Sequence, residues 1–102
     1  MREINQEEFF ELITDHSGRI LIDFFAPWCG PCKMFLPVLE KATEERTDVS
    51  VCKLNTDNAK EACIKYNVQS IPTVVLFNDG VEVARHVGTM SRPELERFLA
   101  LE

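Results

Sequence analysis

Apolar positions along the chain switch between helical and strand spacing, and the switches divide it into alternating elements. Asn5 with Glu8 three residues on reads as a capping box, flanked by Ile4 and Phe9 as a hydrophobic staple, so a first helix starts there. Phe9, Leu12, Ile13 and His16 fall on one face of it, and Gly18 is placed to end it. A short strand at Arg2–Ile4 precedes it. Residues 20–25 form a near-continuous apolar run, the pattern of a parallel strand covered on both faces. From 31 to about 46 the spacing becomes helical, with Cys32, Phe35, Leu36, Leu39 and Ala42 on one side. Pro37 lies inside that stretch, removes one ladder bond and predicts a kink.

Residues 49–55 read as a second interior strand. Asp57 is placed to cap a short helix whose apolar face is Ala59, Ala62, Cys63 and Tyr66. Strands at 73–77 and 81–87 are joined through Asn78-Asp79-Gly80, a hairpin signal. Ser91 with Glu94 opens a last helix that packs Leu95, Phe98 and Leu99. The order is helix, strand, helix, strand, helix, hairpin, helix, an α/β pattern. Right-handed crossovers between parallel strands then place helices on both faces of the sheet. With no linker, repeat or low-complexity tract, residues 1–102 are expected to form a single domain.

Composition narrows the partners. The 102 residues are 45% hydrophobic and 27% charged, ordinary for a globular protein. A net charge of -6 speaks against nucleic acid or an anionic membrane surface as partner. No segment approaches the ~20 apolar residues of a membrane span. The N-terminal stretch, rich in acidic residues, lacks the apolar core of a secretory signal. With four cysteines, two of them isolated, this points to a reducing compartment, the cytoplasm.

The candidate chemistry sits in Trp28-Cys29-Gly30-Pro31-Cys32, directly after the first buried strand. Cys29 falls about where the N-cap of the next helix belongs, and Pro31 near its first position. Unpaired amides and the helix dipole favour a thiolate at Cys29. Cys32, one turn in, points to the apolar face and should be shielded. One sulfur attacks a disulfide and the other resolves it. The competing use of such a pair is half of a zinc site, but Cys52, Cys63, His16 and His86 supply no second close pair, so no metal is expected. Asp23 interrupts the apolar run, where burial should raise its pKa and make it the base for Cys32; the alternative is a solvated aspartate at a strand edge. Lys53, on the neighbouring strand, either approaches Asp23 and tunes that transfer or lays its stem along the sheet with a solvated head. Cys52 and Cys63 read as buried small hydrophobes, with a regulatory redox role as the alternative, His16 as packed at a helix end and His86 as strand surface.

Five ordered segments resemble the thioredoxin family and span nearly the whole chain. They are Asp23-Phe24-Phe25-Ala26-Pro27-Trp28-Cys29-Gly30-Pro31-Cys32-Lys33-Met34, Lys53-Leu54-Asn55-Thr56-Asp57, Ile71-Pro72-Thr73, Asn78-Asp79-Gly80 and Val87-Gly88. The resemblance implies a thioredoxin fold: three α/β/α layers with a central mixed sheet of four to five strands flanked by four helices. It implies protein-disulfide reduction, with Cys29 attacking, Cys32 resolving and Asp23 as base. It also implies a cis proline at Pro72, which would leave the Ile71 backbone free to pair with an extended substrate; the residues alone favour trans. Trp28, Gly30, Pro31, Ile71 and Gly88 then look like the uncharged contact surface around Cys29. Phe25 departs from the family pattern, which has tryptophan there, so a loop-ordering indole hydrogen bond is expected to be lost. The partners implied are disulfide-containing proteins and thioredoxin reductase or an equivalent electron donor, with no cofactor and a monomeric state expected. Two other functions remain open on the residues: an oxidising or isomerising domain of the same fold, and a redox-silent docking module. Gly30-Pro31 favours the reductant, since oxidases and isomerases of the superfamily usually carry histidine between the cysteines.

Overall fold

A computed structural model describes residues 1–15 and 18–102; the expected packing of His16 lies outside them. The elements are β1 (Arg2–Ile4), α1 (Gln6–Thr14), β2 (Arg19–Phe25), α2 (Gly30–Thr43), β3 (Ser50–Asn55), a 3₁₀ turn (Thr56–Asn58), α3 (Lys60–Lys65), β4 (Thr73–Asn78), β5 (Val81–Val87) and α4 (Arg92–Leu99). The sheet order is β1-β3-β2-β4-β5. β1, β3 and β2 run parallel, while β4 is antiparallel to β2 and β5 to β4. This is the mixed five-stranded sheet with four helices that the resemblance implies.

Strand alternation builds two apolar layers. Ile20, Ile22 and Phe24 of β2 join Cys52, Leu54, Val75 and Phe77 in the layer that includes Phe9 of α1 and Ala62 of α3. Phe9 makes edge contacts there with Phe24, Phe77 and Tyr66. Leu21 faces the other way, into a layer with Phe35 and Leu39 of α2 and Leu95 and Leu99 of α4. The intervening period of two therefore sends Asp23 toward α2.

Both capping boxes form as the residues predict, Asn5 with Glu8 and Ser91 with Glu94. The hairpin turn places Asp79 at φ 49 and Gly80 at φ 83, the two left-handed residues of a type I′ turn. Three boundaries differ from the sequence reading. α1 ends at Thr14 with Asp15 as its C-cap, so Gly18 does not terminate it; Gly18 instead exchanges hydrogen bonds with Asp79 across the sheet end. α2 stops at Thr43, whose hydroxyl donates back to the Leu39 carbonyl, and Arg46 turns to pair with Asp48 at 2.6 Å. Asp57 is not a helix cap. It lies inside the 3₁₀ turn, and the Ala62 amide in the first turn of α3 donates to the Gln6 side chain of α1 at 2.9 Å. A cap from 56 residues away leaves no local signal.

The β4–β5 ladder shifts between Leu76 and Phe77, leaving Val83 unpaired as a bulge. On a regular strand Glu82 and Arg85, three apart, would point to opposite faces. The extra residue brings them to one face, where Arg85 pairs with Glu82 at 2.7 Å and donates to the Tyr66 and Asn67 carbonyls after α3.

Candidate active site

β2 ends at Phe25 and α2 begins at Gly30, so residues 26–29 carry the chain from sheet to helix. Cys29 is the N-cap: its backbone is extended, its Sγ accepts the Cys32 N–H at 3.2 Å, and Pro31 sits in the first turn. That position faces the unpaired amides and positive end of α2, which favour a thiolate once the sulfur is reduced. Cys29 and Cys32 are joined as a disulfide, with Cα atoms 5.3 Å apart. Exposure does not separate them, at 5% and 4%. The expected shelter of Cys32 is thus present, and the correction concerns Cys29, which is buried as well in the oxidised form. Ala26 and Ile71 cover the pair together, and the two sulfurs differ in what faces them. Cys29 Sγ lies 4.0 Å from the Ile71 carbonyl, whereas Cys32 borders a half-open pocket of about 250 Å³ shared with Asp23, Phe25, Leu36 and Lys53.

Asp23 is 2% exposed, which excludes the solvated-edge alternative. Its Oδ1 accepts no hydrogen bond from the described residues. Burial pushes its carboxyl from 3.8 up to about 7, against the opposing pull of the Lys53 charge. Asp23 and Lys53 are register partners on adjacent parallel strands, so both project toward α2. The Lys53 ammonium lies 5.2 Å over the Phe25 ring, and its half-buried side chain borders the same pocket.

The remaining predicted residues surround the disulfide. Trp28 is 69% exposed, and Gly30 and Pro31 are also exposed. The Ile71–Pro72 peptide is cis. Ile71 is half-buried against the cysteines, but Pro72 is buried and offers little surface itself. The Gly88 amide donates to the Pro72 carbonyl at 2.8 Å, with φ +98, a conformation that favours glycine. Phe25 cannot donate from its ring, yet the loop is tied by neighbours. The Thr56 hydroxyl donates to the Phe25 carbonyl at 3.1 Å, and the Trp28 indole N–H reaches both Asp57 carboxylate oxygens at 3.1 Å. Sequence reasoning missed Asp57 in this position, and also Met34. Met34 is 77% exposed and borders an apolar groove with Pro31, Val38, Thr89 and Met90.

Cys52 is buried and Cys63 half-buried, and desolvation pushes both thiols upward, away from reactivity at neutral pH. His86 lies half-buried on β5, its Nε2 3.2 Å from the Thr89 carbonyl. Among the described residues no group of three or more His, Cys, Asp or Glu side chains could hold a metal ion, and no helix is long and apolar enough to cross a membrane.

A disulfide at a helix N-cap, backed by a buried carboxyl and fronted by uncharged surface, is the equipment of a protein-disulfide oxidoreductase. The thioredoxin family profile matches residues 1–101. The chain is 44% identical over 97 residues to the thioredoxin of Chlamydia trachomatis, covering 95% of this chain and 93% of that protein. It is 50% identical to the thioredoxin of Mycobacterium tuberculosis, covering 96% and 85%, and 40% identical to that of Pseudomonas aeruginosa, covering 94% and 90%. The chain belongs to the thioredoxin family. Its Cys29–Cys32 pair, in the active-site position, carries dithiol–disulfide exchange.

Proposed function

We propose that the protein is a general reductant of protein disulfides in the cytoplasm, acting as a single-domain monomer without a cofactor. The placing of Cys29 at the N-cap of α2, with the Cys32 amide at its sulfur, carries this reading. Cys29 thiolate attacks one sulfur of a substrate disulfide, forming a mixed disulfide and releasing the other sulfur as a thiolate. Cys32 gives its proton to the Asp23 carboxylate, and its thiolate attacks Cys29 Sγ. The second substrate sulfur leaves as a thiolate, so two electrons have passed to the substrate and Cys29–Cys32 is oxidised. A thioredoxin reductase or equivalent donor returns those electrons.

An Asp23 pKa of about 7 suits this role, because a group near neutrality can both accept and release the proton. Lys53 holds that value down and so tunes the transfer. Trp28, Gly30, Pro31, Ile71 and Gly88 form the contact face, with Pro72 shaping the Ile71 backbone that pairs with extended substrate; the apolar groove at Met34 extends it. The net charge of -6 disfavours nucleic acid and anionic membranes as partners.

Reduction of insulin driven by dithiothreitol tests the reading. Cys29→Ser should abolish turnover, and Cys32→Ala should accumulate a covalent mixed disulfide. Turnover retained by Cys29→Ser would overturn the assignment.

A further inference from the structure

Trp28 stands beside the redox pair with 69% of its surface in solvent, so packing alone does not orient the ring. Its indole N–H is nonetheless aimed at one group, 3.1 Å from each oxygen of Asp57. Asp57 is itself held. Its amide donates to Asn55 Oδ1 at 3.0 Å within the 3₁₀ turn. One residue earlier, the Thr56 hydroxyl donates to the Phe25 carbonyl at the end of β2. The same turn therefore grips the active-site segment on both sides of Ala26-Pro27, by backbone at Phe25 and by side chain at Trp28. A hydrogen bond to an ionised acceptor is among the stronger kinds, and here it acts on a ring that burial leaves free.

We propose that Asp57 is a positioning residue for disulfide exchange, its carboxylate holding the Trp28 ring in the orientation that a protein substrate meets beside Cys29. This rests on the reading of Trp28 as part of the substrate face. Asp57 bonds to neither active-site sulfur, so its effect falls on docking rather than on sulfur chemistry. A released ring samples several rotamers, and each encounter must immobilise it again. The loss therefore appears in KM and leaves kcat unchanged.

The chain contains one tryptophan, so fluorescence excited at the red edge of the indole band, where Tyr66 does not absorb, reports Trp28 alone. Asp57→Ala should lower the fluorescence anisotropy and raise KM for insulin about three- to ten-fold, with kcat within about two-fold. Asp57→Asn keeps one side-chain oxygen as a neutral acceptor and should recover part of both signals. Trp28→Phe keeps an aromatic face without the N–H; it should raise KM similarly, and adding Asp57→Ala to it should raise KM no further. Wild-type anisotropy and KM in Asp57→Ala would overturn the proposal. So would equal defects in Asp57→Asn and Asp57→Ala, which would assign the effect to charge, or multiplicative effects of the Trp28 and Asp57 substitutions. Failure of the wild-type chain to reduce insulin would instead overturn the functional reading, and is told apart because the anisotropy is measured without substrate.

Discussion

Replacing Asp23 by Asn should change how the stability of the oxidised protein depends on pH. Between pH 3.8 and about 7 the folded protein keeps a proton on Asp23 that the unfolded chain has released. The native state then binds more protons than the unfolded state, so stability falls as pH rises through that window and levels off above it. The shift is about three units, and at about 1.4 kcal/mol per unit the loss at pH 8.5 is on the order of 4 kcal/mol. Asn has a similar shape and no proton to lose. Any offset from burying its amide is the same at every pH, so the difference between two pH values isolates the carboxyl. Urea unfolding of both oxidised proteins near pH 4 and near pH 8.5 measures it. The stability of Asp23→Asn relative to wild type should improve by roughly 4 kcal/mol from the lower pH to the higher. A relative stability that stays constant within about 1 kcal/mol would refute the claim that burial controls this carboxyl.

Three further outcomes follow from the same structure. Lys53→Met should move the Asp23 midpoint above its value of about 7, because the Lys53 charge holds it down; a carboxyl-carbon NMR titration showing no rise would count against that coupling. Arg19→Met should destabilise the fold by about 1–3 kcal/mol, since the guanidinium bonds the Leu99 and Leu101 carbonyls and Asp48. Urea unfolding checks this, and a wild-type midpoint would show that the C-terminal end of α4 is held by packing alone. In the reduced protein at neutral pH, iodoacetamide should label Cys29 well before Cys52 and Cys63, whose thiols burial pushes upward. Mass spectrometry showing Cys32 modified as fast as Cys29 would remove the asymmetry on which the relay depends.

Features carried by neighbouring residues were legible in the sequence. Asn5 and Ser91 cap their helices through bonds spanning three residues, and Asp79-Gly80 makes its turn by backbone preference. Asp23 stood out because a carboxyl inside an apolar run has few alternatives to burial. The misreadings concern bonds between distant segments. Gln6 caps α3, and Asp57 holds Trp28 across 29 residues instead of capping a helix. Neither pairing leaves a periodic trace. The burial of Cys29 in the oxidised form escapes the sequence for a related reason: Ile71, 42 residues later, packs against the pair that helix geometry alone leaves open.

The irregular pairing opposite Leu76 and Phe77 also guards the outer strand against slipping. Were β5 to slide into a uniform ladder in either sense, Glu82 and Arg85 would part, and one charge would be driven beneath α2 and α4 among Leu76, Val74 and their neighbours. An unpaired ion there is far more costly than an unmatched apolar side chain. The two charges thus act as a key that admits a single alignment of the hairpin.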